Sequence, residues 1–386
     1  MTLPQIEIQL IAALVAITCA IPGVFLVLRK MSLISDAISH SILLGIVLGF
    51  FITQDLSSPL LIAMAAIAGV ITVILVEAIQ NTKLVKEDTA IGLVFPAMFS
   101  IGIILISQNA NDVHLDVDAV LLGELAFAPF NRWYIGDMDM GPKALWVVGS
   151  ILVVLVTLLI LFFKELKIST FDPGLSAALG ISPILMHYGL MTVSSVTIVG
   201  AFDAVGAILV VALMIVPAAG AYLLTTNLKK MLLLAIFFGL FSAISGYWAA
   251  NLLNASISGS MATVLGIVFL LIYLFAPSKG LIANVYRDKR QKNEVMLLTF
   301  LLHLHQHSDK EERSVQHLNY HFSWSQKQAK KILKLAVDNG LIYVENPYVN
   351  LTEKGEKFNV EAINYILSNQ TEKVERMKQD FLLFRG

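Results

Sequence analysis

Nine apolar runs, each about as long as a bilayer is thick, fill the first three quarters of the chain, and no other feature restricts its fold as severely. A hydrocarbon core needs about 20 apolar residues per helix. Inside lipid, every backbone polar group must be satisfied within the protein, so runs of this kind span as helices. They fall at about 8–28, 36–53, 59–79, 90–108, 143–163, 184–202, 204–224, 231–252 and 260–276. Only Asp203 separates the sixth run from the seventh, so a broken or re-entrant element, giving eight spans, is the alternative. Asp203 is expected in a tight turn near the membrane surface. With 57% hydrophobic and 14% charged residues, against about 25% charged in soluble domains, the chain is not a soluble enzyme. The single cysteine, Cys19, lies in the first run, excludes an internal disulfide framework and reads as packing. The N-terminal MTLPQIEIQL lacks a basic region and a small-residue cleavage pattern, so the first run is expected to be a retained span.

The second run holds the residues most out of place in lipid. In MSLISDAISHSILLGIVLG (31–49), Asp36 and His40 are four residues apart, which puts them on one helix face. A carboxylate and an imidazole are costly among lipid tails, so the pair should face protein or a polar path. A helix-to-helix hydrogen bond and a ligand role both fit that spacing.

Basic residues in short loops set the orientation. Arg29 and Lys30, Lys83 and Lys86, Lys164 and Lys167, Lys229 and Lys230, and Lys279 and Arg287 follow odd-numbered spans, which places all five loops on one side. That side is expected to be cytoplasmic, with the start of the chain outside. If span two begins near residue 36 on that side, Asp36 and His40 lie in the inner half of the membrane.

The longest loop on the other side, 108–142, is acidic, with Asp112, Asp116, Asp118, Glu124, Asp137 and Asp139. It reads as a solvated loop with an amphipathic turn, or as a cation-attracting mouth and docking surface in which His114, Asp116 and Asp118 collect an entering metal ion. On the basic side, FKELKISTFDPGLSAALGISP (163–183) begins as a polar stretch. Asp172-Pro173-Gly174 then opens a short helix through Ala177 and Ala178 that Gly180 and Pro183 end. A short helix held between two spans is a contact element or a compact connector. Intramembrane glycines and prolines, including Pro22-Gly23, Pro96 and Pro217, fit close packing or broken helices.

Charge rises sharply after Tyr286, so 281–290 reads as a linker and 291–386 as a separate domain. NEVMLLTFLLHLHQHS reads as an amphipathic helix, and a short helix is expected near 311–320. Ser323-Trp324-Ser325 starts the helix QKQAKKILKLAVDNG, which Gly340 closes. Two strand-like pieces around Asn346-Pro347 and a last helix complete an α+β winged helix-turn-helix order. Lys327, Lys330, Lys331 and Lys334 on its third helix are candidate nucleic-acid contacts, although the tail's many acidic residues favour a packing or regulatory module. His303 and His307 share a helical face and His317 and His321 form another such pair. A metal-sensing site there stands beside ordinary, partly exposed histidines. No GxxxxGK[ST], HExxH or CxxC motif occurs, so neither ATP hydrolysis nor other enzyme chemistry is expected of the chain itself.

Five stretches carry a family resemblance: MSLISDAISHSILLGIVLGF, KEDTAIGLVFPAMFSIGIILIS, VDAVLLGEL, FDPGLSAALGISPILMHYGLM and AVGAILVVALMIVPAAGAYLLT. Over residues 8–280 the chain resembles the membrane permeases of bacterial ABC importers for manganese, zinc and ferrous iron. The resemblance implies an all-α, multi-pass permease of the bacterial cytoplasmic (inner) membrane, homodimeric or paired with a second permease. Separate ATPase subunits would dock on its cytoplasmic face and bind all the ATP. An extracytoplasmic metal-binding lipoprotein would deliver the cargo, and no cofactor would be bound permanently. It places Asp36 and His40 on the metal path and Phe171, Asp172, Pro173, Gly174 and Gly180 in the element that couples to the ATPase. Ser35 and Leu44 depart from the glycine and proline common in relatives, which puts helix bending and gate geometry in question. The tail resembles the winged-helix part of manganese- or iron-dependent repressors and is expected to be cytoplasmic. The expected function is the permease subunit of a divalent-metal importer. A membrane-tethered, metal-responsive DNA-binding regulator is the alternative.

Overall fold

The structure, a computed structural model, describes residues 2–54, 58–109, 125–135, 137–277, 279–306, 313, 324–345 and 348–368. They fall into two compact units, Met1–Leu281 and Ile282–Gly386.

Among the described residues of the first unit, nine helices are long and apolar enough to cross a membrane. They are α1 (Leu3–Leu28), α2 (Ser32–Thr53), α3 (Pro59–Asn81), α4 (Glu87–Asn109), α5 (Lys143–Leu161), α8 (Pro183–Val205), α9 (Ala207–Leu224), α10 (Leu228–Leu253) and α11 (Ile257–Phe275). Between α5 and α8 lie two short helices, α6 (Phe163–Phe171) and α7 (Pro173–Ala178). Between α4 and α5 a two-stranded antiparallel hairpin forms from β1 (Arg132–Ile135) and β2 (Met138–Pro142). The span ends follow local chemistry. Ser58, Ser182, Asn227 and Ser256 cap α3, α8, α10 and α11 through side-chain oxygens that accept first-turn N–H bonds. Pro59 and Pro183 occupy first helical positions, where a missing N–H costs nothing.

Two expectations are sharpened. The sixth and seventh runs are separate helices joined by Gly206 alone, at φ +80° and ψ 167°, a region essentially reserved for glycine. Asp203 is exposed on the last turn before that break. Helix α2 starts at Ser32 and not near 36, and the Ser35 hydroxyl is satisfied within it, donating to the Ser32 carbonyl at 2.9 Å.

Helices α1 and α2 are the most enclosed of the spans. Ile11, Val15, Cys19 and Val24 of α1 are fully buried, and that helix packs on α5, α8, α9 and α10. Helix α2 packs mainly on α3 and α4. Small residues set these approaches: a Cβ on Gly45 would stand 2.5 Å from the Ala65 Cα of α3, and one on Gly23 would meet the Met214 carbonyl of α9.

The second unit contains α12 (Leu281–Gln306, whose first residue belongs to the first unit), α13 (Gln326–Asp338), the hairpin β3 (Ile342–Glu345) and β4 (Tyr348–Leu351), and α14 (Glu353–Ser368). Leu297, Phe300, Leu301 and Leu304 of α12 share a core with Ile332, Ala336, Leu341, Val349 and Phe358. A Ser325–Gln328 capping box opens α13, and Gly340 follows it at φ +65°. Residues 281–290, expected to be a linker, are helical and form the first part of α12, with the division between the two units at Leu281. Apart from Arg313, the expected helix near 311–320 lies outside the described residues, so the elements seen do not by themselves make a winged helix-turn-helix.

Candidate functional site

Helix α2 is buried around most of its circumference, and its open stripe carries Leu33, Asp36 and His40. Their side chains retain 45% (Asp36) and 32% (His40) of their exposure. Nε2 of His40 is 3.6 Å from Oδ1 of Asp36, too far for a hydrogen bond. Among the described residues neither side chain is hydrogen-bonded, so the helix-to-helix bond that the spacing also allowed is not made. Two rings of α4 form the floor of the site. Phe95 stacks on the imidazole with centroids 5.4 Å apart, and Phe99 meets it edge-on at 5.9 Å. His40 lies eight residues into a 22-residue helix, or about 12 Å along about 33 Å at 1.5 Å per residue. The earlier start of α2 therefore lifts the pair toward the middle of the span.

A second polar cluster, unforeseen from the sequence, lies at the basic-loop end of α1, α3 and α8. Arg29 donates from Nε to Thr170 Oγ1 (3.2 Å), from Nη2 to Ser169 Oγ (2.9 Å) and from Nη1 to Nδ1 of His187 (3.4 Å). A guanidinium can only donate, so Nδ1 accepts and Nε2 carries the proton that bonds Oε1 of Glu77. The Tyr188 hydroxyl donates to the other oxygen of Glu77 at 2.6 Å. The available signal was Glu77 inside an apolar run and His187 near the start of another.

The expected short helix forms. Asp172 Oδ1 accepts from the Leu175 N–H at 2.9 Å and caps α7, Pro173 fills its first position, and Gly180, at φ +81°, ends the turn that follows. Phe171, Leu175 and Leu179 are exposed along it. The preceding polar stretch is also helical, as α6, and supplies Ser169 and Thr170 to the Arg29 cluster.

On the opposite side, His114, Asp116 and Asp118 lie outside the described residues. The described part of that loop holds the amphipathic turn expected, a turn and 3-10 helix over 125–130 with Leu125 and Pro129 buried and Phe127 and Phe130 exposed, and then the β1–β2 hairpin. Arg132 ties it to α1, donating from Nη1 to both oxygens of Glu7 (3.2 Å each) and from Nε to Asp139 Oδ2 (2.6 Å). The Gly141 N–H, helped by the Arg132 guanidinium, holds the Asp139 carboxyl below its ordinary range. Asp139 is therefore engaged in structure, whereas Asp137 is exposed.

In the second unit, Lys327, Lys330, Lys331 and Lys334 are all exposed and follow one face of α13. Of the tail histidines, His303 is half-buried and His305 exposed on α12; His307, His317 and His321 lie outside the described residues. Among the described residues no three His, Cys, Asp or Glu side chains gather where a metal ion could bind.

A multi-pass bundle with a carboxylate and an imidazole side by side and half-exposed on one span has the build of a membrane transport subunit. The profile of the ABC 3 transport family matches residues 6–276, and the chain belongs to that family, the one its sequence motifs resemble. The chain is 48% identical over 353 residues to a zinc transport system membrane protein, TroD, of Treponema pallidum, covering 90% of this chain and 96% of that one. It is 45% identical over 281 residues to the manganese transport system membrane protein MntD of Bacillus subtilis, covering 73% and 95%. The first match is longer than the whole first unit and reaches into the second. Among solved structures, PsaBC from Streptococcus pneumoniae in complex with Fab matches with a TM-score of 0.61 and 29% identity, over 72% of this chain and 94% of that one.

Proposed function

We propose that the protein is the permease subunit of an importer that moves a divalent transition-metal ion, manganese or zinc or ferrous iron, into the cytoplasm, driven by separate ATPase subunits. The observation that carries this reading is the Asp36–His40 pair, half-exposed on a membrane helix and hydrogen-bonded to no other described side chain. Taking a divalent ion through a low-dielectric layer is costly unless ligands replace its water. One chain offers one carboxylate and one imidazole. A second copy, related by symmetry, would supply another of each: two negative charges against a doubly charged ion, and four ligand groups. Carboxylate and imidazole suit manganese, zinc and ferrous iron better than copper(I). Phe95 and Phe99 would limit water around the ligands. The names of the two relatives divide between zinc and manganese, so the cargo is tested directly. After reconstitution with its ATPase subunits and binding protein, the complex should accumulate at least one of Mn²⁺, Zn²⁺ or Fe²⁺ in an ATP-dependent, mutually competitive way. Failure with all three sinks the reading.

The α6–α7 segment is proposed as the seat of the ATPase, through Phe171, Leu175 and Leu179. Removing the α7 cap with Asp172→Ala should cost about 1 kcal/mol of local helix stability. If the ATPase binds the ordered helix, its affinity should weaken about fivefold, which a binding titration on the purified permease would register. An unchanged affinity would remove α7 from the docking surface.

A further inference from the structure

Resting on the transport reading, we propose that Arg29 and its partners form a polar joint linking the α6–α7 segment to the helix that carries Asp36 and His40. Arg29 is the residue at which three elements converge. Its guanidinium holds both hydroxyls at the end of α6, which is followed immediately by the Asp172 cap of α7. It also holds His187 on α8 and, through His187, Glu77 on α3. Its backbone ends α1 and enters a turn of three residues: Lys30, at φ +63°, donates to the Val27 carbonyl (3.1 Å), and Met31 donates to the Leu26 carbonyl (2.9 Å). That turn feeds directly into α2 at Ser32, and Asp36 is one turn further on. So short and doubly bonded a turn carries little slack, and a displacement at Ser169 and Thr170 reaches the start of α2 through one side chain.

The second branch ends on the same helix. Glu77 holds α3, and α3 touches α2 at the Gly45–Ala65 approach, while Ser195 of α8 donates to the Ala66 carbonyl of α3 at 3.0 Å. The partners also suit a joint that moves as a unit. Ser169 and Thr170 accept from Arg29 while donating to the Leu166 carbonyl of α6 (3.3 and 2.6 Å). The hydroxyls therefore tie the guanidinium to the body of α6 and not to a free side chain. A contact that only glued helices together would not need to end on the last turn of the exposed segment.

The test separates coupling from folding and from transport itself. Ser169→Ala/Thr170→Val removes both hydroxyls and leaves the Arg29–His187–Glu77 bonds in place; Thr170→Ser keeps a hydroxyl; Glu77→Gln keeps the shape of the second branch without its charge. Each is purified with the ATPase subunits and reconstituted, and Mn²⁺ or Zn²⁺ uptake and ATP hydrolysis are measured on the same vesicles. Wild type and Thr170→Ser should transport with the same number of metal ions per ATP. Ser169→Ala/Thr170→Val and Glu77→Gln should assemble and hydrolyse ATP, but with metal per ATP reduced at least tenfold. A wild-type ratio in both, or loss of assembly by Ser169→Ala/Thr170→Val, overturns the joint while wild-type uptake keeps the transport reading intact. Wild-type vesicles that take up neither metal overturn both.

Discussion

Asp36→Ala and His40→Ala should each reduce ATP-dependent metal uptake to background while the chain still inserts and assembles with its ATPase. Neither side chain is hydrogen-bonded among the described residues and both are half-exposed, so truncating them leaves no buried partner unpaired and should cost little stability. The cost falls on the cargo. Removing even an outer-shell partner of a metal ligand costs about 10–100-fold in metal affinity or activity, and losing a direct ligand should cost at least that. In a symmetric pair of chains each substitution removes two ligands together. Asp36→Asn is the sharper variant, since it keeps size and one oxygen but discards the charge that offsets the ion. Radiometal uptake into vesicles, normalised to assembled complex, decides the matter, and normal uptake in both alanine variants would remove the pair from the metal path.

Gly23→Ala should be the most damaging single methyl group in the first unit. Any Cβ at Gly23 collides with the Met214 carbonyl, a backbone atom of α9 that cannot rotate away. The helices would have to separate, losing contacts where Val24 and Met214 are fully buried. Overpacking a close-packed site costs about 1–3 kcal/mol even where side chains can adjust, so a backbone collision should reach the top of that range or exceed it. Gly149→Ala on α5 is the control: its Cβ would meet nothing within 4 Å, and a change within about 0.5 kcal/mol is expected. Thermal stability of the detergent-solubilised protein, followed by size-exclusion recovery after heating, should separate the two variants clearly. Equal melting of both would mean that α1 and α9 are not in such close contact.

The spans were legible because the bilayer writes its thickness into the sequence as uninterrupted apolar runs. What misled was polarity satisfied locally. Ser32 and Ser35 look like a loop before α2, yet the helix begins at Ser32 and the Ser35 hydroxyl is satisfied on the Ser32 carbonyl. FKELKISTF is too polar to register as a helix by periodicity, although it forms one. Asp36 and His40 stood out because they interrupt an apolar run close together. Arg29 and His187 sit near helix ends, where charge is ordinary, Glu77 is a lone acid late in an apolar run, and the bonds of Arg29 and Glu77 to His187 join residues 158 and 110 positions apart. No local pattern encodes such a meeting. The β1–β2 hairpin was hidden for a related reason: four-residue strands give too few alternations to see, and an arginine bridging to Glu7 on α1 fixes their place.

The burial of Cys19 has a practical consequence for measurement. Thiol reagents need an accessible thiolate, and a sulfur enclosed on every side in the middle of α1 offers none. Native protein should therefore behave as cysteine-free toward a maleimide that cannot cross membranes. One introduced cysteine at exposed Asp203 and another at exposed Lys229 would then report, from either side of a sealed vesicle, which face of the bundle each occupies, without first altering the native chain.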